Sequence, residues 1–424
     1  MKIYFVSLGC DKNKVDSEKI LDFFIVKFGV EIVDDPDDCD IAIVNTCAFI
    51  GDAKAESLEV IKDLYDRKIQ GKIKKIMVLG CLAKESKLNA NANNELSKYA
   101  DLILPVDEYL NEIENKTDRV LDIINYSRSI KISDGCDKNC TYCIIPKLRG
   151  KQQSRKIEDI FVETKKMTDM GLVELEIVAQ DTLSYGLDIY KKKSIVDLLN
   201  QLSTIDRLKW IRLMYCYPEE ITDELIQLMK TNKKILHYID MPIQHISDKI
   251  LRRMNRATTK ENIKELIYKL RSDIPDIALR TTLMVGFPGE TDDDFSELVD
   301  FVEKIGFDHV GCFAYSNELL SASYDYDEQV PEIEKQKRKN WLMSVVQYRK
   351  VINQNQQQIG KKYEVIIDGY DTNKKMYVSR NYQNAKNIDS VIYIKTNKDL
   401  LSGSFAKVKI TSFDEYDLIG KLIQ

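Results

Sequence analysis

An α/β chain in three segments is what this sequence predicts, and three observations predict it. Short apolar runs alternate with helical periodicity through residues 1–118. The same alternation returns through residues 119–358. From about residue 361 helical periodicity stops and short alternating runs replace it. Apolar runs set between amphipathic helices are the pattern of a parallel sheet covered by helices. Closely spaced alternating runs with turn residues between them are the pattern of a small antiparallel barrel. The expected domains are therefore 1–118, 119–358 and 359–424.

In the first segment, strands are expected at 3–8, 41–45, 76–79 and 101–105. A helix is expected over 15–28, where Ile20, Leu21, Phe24 and Phe28 recur at helical spacing, with others over 53–65 and from about Ala83. The polar stretch 112–118 suits a linker. In the second segment, strands are expected at 130–133, 173–178, 210–215, 237–241, 277–285 and 309–315. Helical patterns at 157–170, 221–229, 260–270 and 292–305 separate them. About six such units curl into a complete or partial barrel, and a doubly wound open sheet is the competing topology. In the third segment, strands are expected at 363–367, 376–379, 391–394 and 405–411, with turns at Asp368-Gly369 and Ser402-Gly403.

Composition excludes several classes. At 424 residues the chain can bury several cores without disulfides. No run approaches the roughly 20 apolar residues of a membrane helix, and the first residues carry no secretory pattern. A cytoplasmic protein without a membrane segment is expected. A net charge of −5 argues against a surface that coats nucleic acid, although a local basic patch stays open. The third segment has eleven basic and eight acidic side chains from residue 361 on, too even a balance to choose between RNA and protein as its partner.

Nine cysteines in such a chain need a reason. Without a signal sequence an odd count speaks against a disulfide framework. Cys136, Cys140 and Cys143 fall within eight residues in a C-x3-C-x2-C spacing, just after an apolar strand. Structural zinc generally takes four ligands in paired knuckles, and a fourth local Cys or His is missing. Three thiolates on one tight loop instead suit an iron–sulfur cubane with one iron left open to a cofactor. A zinc site completed from elsewhere is the competing reading. Cys10, Cys47 and Cys81 each follow the carboxyl end of an expected parallel strand. In an open parallel sheet those loops share one edge, where ligands bind. They are either a second three-thiol site or three buried packing residues. Cys39, Cys216 and Cys312 fall outside both sets, and barrel packing is expected for the last two.

The C-x3-C-x2-C spacing, with Tyr142 before its last cysteine, resembles the signature of radical S-adenosylmethionine (SAM) enzymes. Over its whole length the chain resembles their methylthiotransferase family. That family has an amino-terminal three-cysteine domain, a radical SAM partial (β/α) barrel and a carboxyl-terminal TRAM barrel. The run Ser7-Leu8-Gly9-Cys10-Asp11-Lys12-Asn13-Lys14-Val15-Asp16-Ser17-Glu18 is similar to the RimO branch, although Asp11 stands where that branch commonly has Pro. Similar segments are Ala179-Gln180-Asp181-Thr182, Tyr217-Pro218-Glu219, Pro242-Ile243-Gln244-His245-Ile246-Ser247, Gly286-Phe287-Pro288-Gly289-Glu290-Thr291, Asp368-Gly369-Tyr370-Asp371 and Asp414-Glu415-Tyr416-Asp417-Leu418. The Gly-Cys-Gln-Met-Asn type of motif usual in the tRNA-modifying MiaB branch is absent.

The resemblance implies two [4Fe–4S] clusters, one on Cys136, Cys140 and Cys143 that binds SAM, the other on Cys10, Cys47 and Cys81 that supplies or carries sulfur. It implies methylthiolation of the β-carbon of an aspartate in protein twelve of the small ribosomal subunit, with one SAM giving the hydrogen-abstracting radical and another the methyl group. An electron donor is implied, and an RNA contact through the TRAM domain stays open. For SAM contacts the resemblance points to Tyr142, Glu174, Gln180, Gln244 and the backbone at Gly286, with no catalytic side chain beyond the cluster ligands. His245 is more readily structural. Arg212 and Arg280, inside expected strands, need partners, and structural ion pairs are favoured. The alternatives are a tRNA methylthiotransferase with the same chemistry and, from another class, a non-enzymatic iron–sulfur or zinc protein that binds RNA through its end barrel.

Overall fold

A computed structural model describes residues 1–113, 118–121 and 126–423. Most of the expected linker, residues 114–117, lies outside the described residues.

The first domain is a five-stranded parallel sheet: β1 (Lys2–Ser7), β2 (Glu31–Val33), β3 (Ile41–Thr46), β4 (Lys75–Gly80) and β5 (Leu102–Pro105). The order is β2-β1-β3-β4-β5, so the winding reverses between β1 and β3. Ala42, Val44, Ile76 and Val78 pack against Ile61 and Leu64 of the helix Gly51–Ile69. Ile3, Ile43 and Leu79 pack on the other side against Ile20 of the helix Asp11–Phe28. Burial on both faces is why these strands are continuously apolar. β2 was not foreseen, because three largely exposed residues make no apolar run.

The central domain adds β6 (Ser127–Lys131), a small hairpin of β7 (Ser133–Asp134) and β8 (Gln153–Ser154), then β9 (Glu174–Val178), β10 (Trp210–Leu213), β11 (Ile235–Asp240), β12 (Ala278–Val285) and β13 (His309–Ala314). The main sheet runs β13-β12-β11-β10-β9-β6. Every neighbouring pair is parallel. Consecutive order without reversal is a partial barrel and rules out the doubly wound alternative. Leu175, Ile177, Ile211, Leu213, Ile239 and Leu279 face the outer helices. The alternate residues, among them Val178, Trp210, Met214 and Tyr238, form a separate inner cluster.

The third domain is a closed barrel of β14 (Lys362–Asp371), β15 (Met376–Arg380), β16 (Ile392–Ile394), β17 (Phe405–Asp414) and β18 (Asp417–Leu422), in the order β14-β15-β16-β18-β17. Asp368-Gly369 is not a turn. It lies inside β14, where pairing with β15 shifts register between Ile367 and Gly369, and a bulge uses the same residue types as a turn. Ser402-Gly403 is a turn, with Gly403 at φ 82°. Tyr363 and Tyr377 pack on the barrel core, whereas Tyr370 is exposed.

The third domain lies under the amino ends of the central strands. Arg380 reaches Glu174, Tyr382 accepts from Arg212, and Asp389 meets Tyr238 and Arg280. The first domain covers the opposite end and the β6 edge, with Glu18 against Arg128 and Asp16 against Lys131.

Candidate functional site at the carboxyl end of the central sheet

Cys10, Cys47 and Cys81 follow β1, β3 and β4, on the loops that straddle the reversal of strand order. Two glycines let these loops meet. Gly9 has φ 86°, and a Cβ there would lie 2.7 Å from Cys47 Cβ and 3.0 Å from its sulfur. Gly80 has φ 87°, and a side chain there would strike Asn45 and the Thr46 backbone. Asn13 Nδ2 donates to Leu8 O at 3.1 Å and Thr46 O at 2.9 Å, tying the first loop to the second. Thr46 Oγ1 donates to Leu79 O at 2.5 Å and accepts from Leu82 N at 3.1 Å, tying the second to the third. Burial pushes the Cys47 thiol up to about 11, and Cys81 and Cys10 add to the rise. Burial also raises Cys81, against the opposing pull of Arg149, whose Nε donates to its sulfur at 3.4 Å.

The second trio sits at the mouth of the partial barrel. Lys138 N donates to Cys136 Sγ at 3.4 Å, Tyr217 Oη lies 3.7 Å from Cys140 Sγ, and Arg256 Nη1 lies 4.0 Å from the same sulfur. The Arg256 guanidinium stacks 4.2 Å from the centre of the Tyr217 ring. Burial raises Cys136 to about 11 and Cys143 to about 12, and each also feels Cys140. Buried thiols ringed by N–H and O–H donors suit thiolates paid in charge by iron and tuned by hydrogen bonds. Among the described residues no three donors close on a single metal ion. Cluster ligands sit on separate irons and need wider spacing than that.

The remaining predicted site residues divide. Gln180 stands just beyond the carboxyl end of β9, its Nε2 donating to Asp134 Oδ1 at 2.9 Å. Its Oε1 is buried with no protein partner. Gln244 holds a left-handed backbone at φ 68°. Its N donates to Thr282 O and its O accepts from Met284 N, which ties the loop after β11 to β12. Tyr142 packs with Met284, Phe287 and Tyr315 into an apolar wall beside the cysteines. Gly286 has φ 73°, but the space a Cβ would take is filled by Lys335. Its N–H donates to Glu290 at 2.7 Å.

Glu174 is a correction. It begins β9, at the sheet end opposite the cysteines. Its carboxylate is fully buried against Arg380 Nη2 at 2.7 Å, Arg212 Nη2 at 3.1 Å and Ser127 Oγ at 2.8 Å. Burial alone would raise it, but the two guanidiniums hold it down to about 2. It is a structural ion pair and offers SAM nothing. Arg212 is its partner, and Arg280 pairs with Asp240 at 2.9 Å. His245 is fully buried, accepts from Ser247 N at 3.0 Å and is driven down to about 3 by burial. Cys216 and Cys312 pack in the main core.

Several residues at the site had no role assigned from sequence. Arg149, at the end of the short helix after Cys143, donates to Asp16 at 2.7 Å, Asp134 at 3.0 Å and Asn13 at 2.6 Å, besides Cys81. Lys131 meets both aspartates. Lys131 and Arg149 hold Asp134 well below the usual carboxylate range despite its burial. This lattice joins the two trios, because Asp134 precedes Cys136 by two residues and Asn13 follows Cys10 by three. Lys12, Asn13 and Asp16 stand in the run quoted above as family-like. Their signal was a helix face directed at another domain, which periodicity within one domain cannot expose.

Three stretches match family models: "Uncharacterized protein family UPF0004" over residues 2–104, the radical SAM superfamily over 130–302 and the TRAM domain over 359–423. Curated relatives named "Ribosomal protein uS12 methylthiotransferase RimO" include one from Lachnoclostridium phytofermentans, 42% identical over 99% of both chains. Another, from Clostridioides difficile, is 42% identical over 100% of this chain and 99% of its own. A third, from Clostridium novyi, is 44% identical over 99% and 97%. Among solved structures, the radical SAM methyltransferase TsrM from Kitasatospora setae aligns over 74% of each chain with TM-score 0.52 and 14% identity. The cobalamin-dependent SAM radical enzyme OxsB aligns over 71% of this chain and 52% of its own, with TM-score 0.50 and 14% identity. Likeness at that identity speaks for the fold alone.

Proposed function

The chain belongs to the RimO family of radical SAM methylthiotransferases, and from that premise we propose that it methylthiolates the β-carbon of an aspartate in ribosomal protein uS12. A [4Fe–4S] cluster and SAM follow from the family. Cys136, Cys140 and Cys143 are the proposed ligands of that cluster. Cys10, Cys47 and Cys81 are proposed to hold a second. The observation that carries the two-cluster reading is the Arg149 lattice, which binds one trio to the other across the domain boundary.

With a reduced cluster and SAM bound, the site is supplied with a hydrogen-abstracting carbon radical and a methyl donor. The protein's part is to bind, orient and exclude water. The Lys138 backbone N–H, the Tyr217 hydroxyl and the Arg256 guanidinium direct positive hydrogen at the mouth sulfurs. Tyr142, Met284 and Phe287 offer an apolar wall to the cofactor. The Gln180 Oε1 and the Gln244 amide are proposed to meet its zwitterionic end, and the Gly286 backbone to approach the cofactor. The first domain roofs the mouth, which shields a radical from solvent. The three functional units are proposed to run 1–118, 119–358 and 359–424, the last gripping the substrate and leaving an RNA contact open. No described helix is long and apolar enough to cross a membrane, and action on a ribosomal protein suits the cytoplasm.

The test is anaerobic. The reconstituted protein receives dithionite as electron donor, SAM, uS12 and bulk tRNA in one vessel, and mass spectrometry follows every product. One methylthio group replacing a hydrogen on a uS12 aspartate, with tRNA unchanged, is the expected result. A methylthiolated nucleoside with uS12 unchanged would overturn the substrate and keep the chemistry. For the second cluster, Cys10→Ala/Cys47→Ala/Cys81→Ala is expected to lose half the bound iron and all methylthiolation while still cleaving SAM. Full iron content in that variant would refute it.

A further inference from the structure

Lys12 is a buried cation with no ion-pair partner among the described residues, although Cys10 and Asp11 lie near enough to favour its charge. It lies in the first turn of the helix Asp11–Phe28, two residues beyond Cys10, and is only 8% exposed. Its Nζ sits 3.3 Å from the centre of the Tyr215 ring, across the boundary between the first and central domains. Among the described residues no carboxylate stands within ion-pair distance of it. The other cations at the mouth are matched: Lys138 by Glu220, Arg256 by Glu219 at 3.5 Å, and Arg149 by Asp16 and Asp134. An ammonium withdrawn from water costs several kcal/mol unless an opposite charge meets it (of order several kcal/mol per ion). An aromatic face returns only part of that, about 2 kcal/mol when desolvated.

Tyr215 is itself held in an unusual state. Its φ is 59°, a left-handed backbone that a bulky residue seldom adopts. Its N donates to Asp240 Oδ2 at 3.0 Å and its O accepts from Thr182 N at 3.3 Å, which fix it from both sides. The strained residue presents its ring to Lys12 on the same loop that brings Tyr217 to Cys140. The ammonium therefore stands near Cys10 and over the loop that carries Tyr217 to the second trio. Strain stored next to a reacting centre is a mark of function.

We propose that Lys12 is the recognition residue for the carboxylate of the substrate side chain, which becomes its missing counter-ion when the peptide enters between the domains. The proposal rests on the uS12 reading above and names the group that would select an acidic side chain at that site. A lysine suits this better than an arginine, because a compact ammonium can hold one carboxylate oxygen and leave the adjacent carbon open to attack. The carboxylate of SAM is the rival source of the same chemistry, and the test separates the two.

The measurement is a binding cycle on the reconstituted holoenzyme with SAM and no reductant. It uses a peptide copied from the aspartate-bearing loop of uS12 and its Asn twin, against wild type, Lys12→Gln and Lys12→Arg. Iron content and the affinity for SAM are recorded for each variant. Wild type is expected to favour the Asp peptide by about tenfold to a hundredfold, the worth of one charge-assisted hydrogen bond. Lys12→Gln is expected to bind both peptides alike with full iron and unchanged SAM affinity, and Lys12→Arg to restore part of the preference. Equal preference for Asp with and without Lys12 overturns the inference alone. So does a Lys12→Gln protein that loses SAM affinity but keeps its preference for Asp. A wild-type enzyme indifferent to both peptides sinks the substrate reading and the inference with it.

Discussion

Below the central sheet, Glu174 is met by two arginines and a serine; above it, Lys12 is met by an aromatic ring. Both ends of the sheet are capped by another domain, and both bury charge, but they settle it differently. At the lower end Arg380 reaches Glu174 and Asp368, and Arg280 reaches Asp240 and Asp389. At the upper end the Gln180 Oε1, one oxygen of Asp181 and the Arg256 Nε have no protein partner. Buried polar groups are nearly always paired in a folded protein. The ion pairs below the sheet hold two domains together, and the unpartnered atoms above it suit a site that receives a ligand. The largest effects of mutation on stability should therefore fall below the sheet and the largest effects on binding above it.

Glu174→Ala should show the greatest loss of stability. It strands the fully buried Arg212 guanidinium, left with the Tyr382 carbonyl and the Tyr238 ring, while Arg380 keeps Asp368. Breaking a buried pair in this way costs about 3–5 kcal/mol, read by denaturant unfolding. A loss below about 1 kcal/mol would show that the lower end is not locked by this pair. The acid range sharpens the point. The folded-state value is depressed to about 2 from an ordinary 4.5, so the pair stabilises fully above about pH 4.5 and is lost as pH falls through 2. The stability gap between wild type and Glu174→Gln should narrow across that window and stay constant above it.

Arg149→Ala comes next, because it breaks a matched lattice at the upper end. Lys131 remains to neutralise Asp16 and Asp134, which limits the cost to about 2–3 kcal/mol. Hydrogen exchange should quicken at residues 10–16 and 133–136 together, since Arg149 holds both segments. Exchange that quickens in only one of them would break the claim that the two trios move as a unit.

The sequence exposed a good deal of this contrast and missed its central part. Strands and helices buried within one domain announce themselves by period, which is why β1, β3, β4 and the six central strands were legible. The cysteines were legible because each follows a parallel strand, and topology gathers such loops at one edge. Glu174 was misplaced because the family resemblance was followed over chain direction, which puts the first residues of a parallel strand at the end away from the ligand loops. Lys12, Arg149 and Arg380 act across domain boundaries, and no local pattern records a partner 68 to 206 residues away.

Gly286→Ala should cost about 1–2 kcal/mol. Two causes contribute, the φ of 73° and the Lys335 side chain that occupies the space. Adding Lys335→Ala removes the second and should leave about 1 kcal/mol for the backbone. If the single variant instead keeps its stability and binds SAM about tenfold more weakly, the glycine serves the cofactor rather than the packing.

Gln180→Ala should give the smallest change in stability and yet the clearest reading of the upper end. The residue contributes one hydrogen bond, to Asp134, and Asp134 keeps Lys131, Arg149 and the Gly135 N–H without it. Unfolding should therefore shift by no more than about 0.5 kcal/mol. The buried Oε1 has no protein partner to lose, so any function it has lies with a ligand. SAM affinity, measured calorimetrically on the reconstituted protein, should fall about tenfold, the worth of one hydrogen bond to a charged group. Unchanged affinity would show that the orphaned oxygen faces water or substrate instead. Glu174 begins a five-residue strand, Gln180 lies two residues beyond its end, and the two were expected to share one task. Opposite responses in the two variants, one in stability and one in affinity, would assign the two ends of that strand to separate roles.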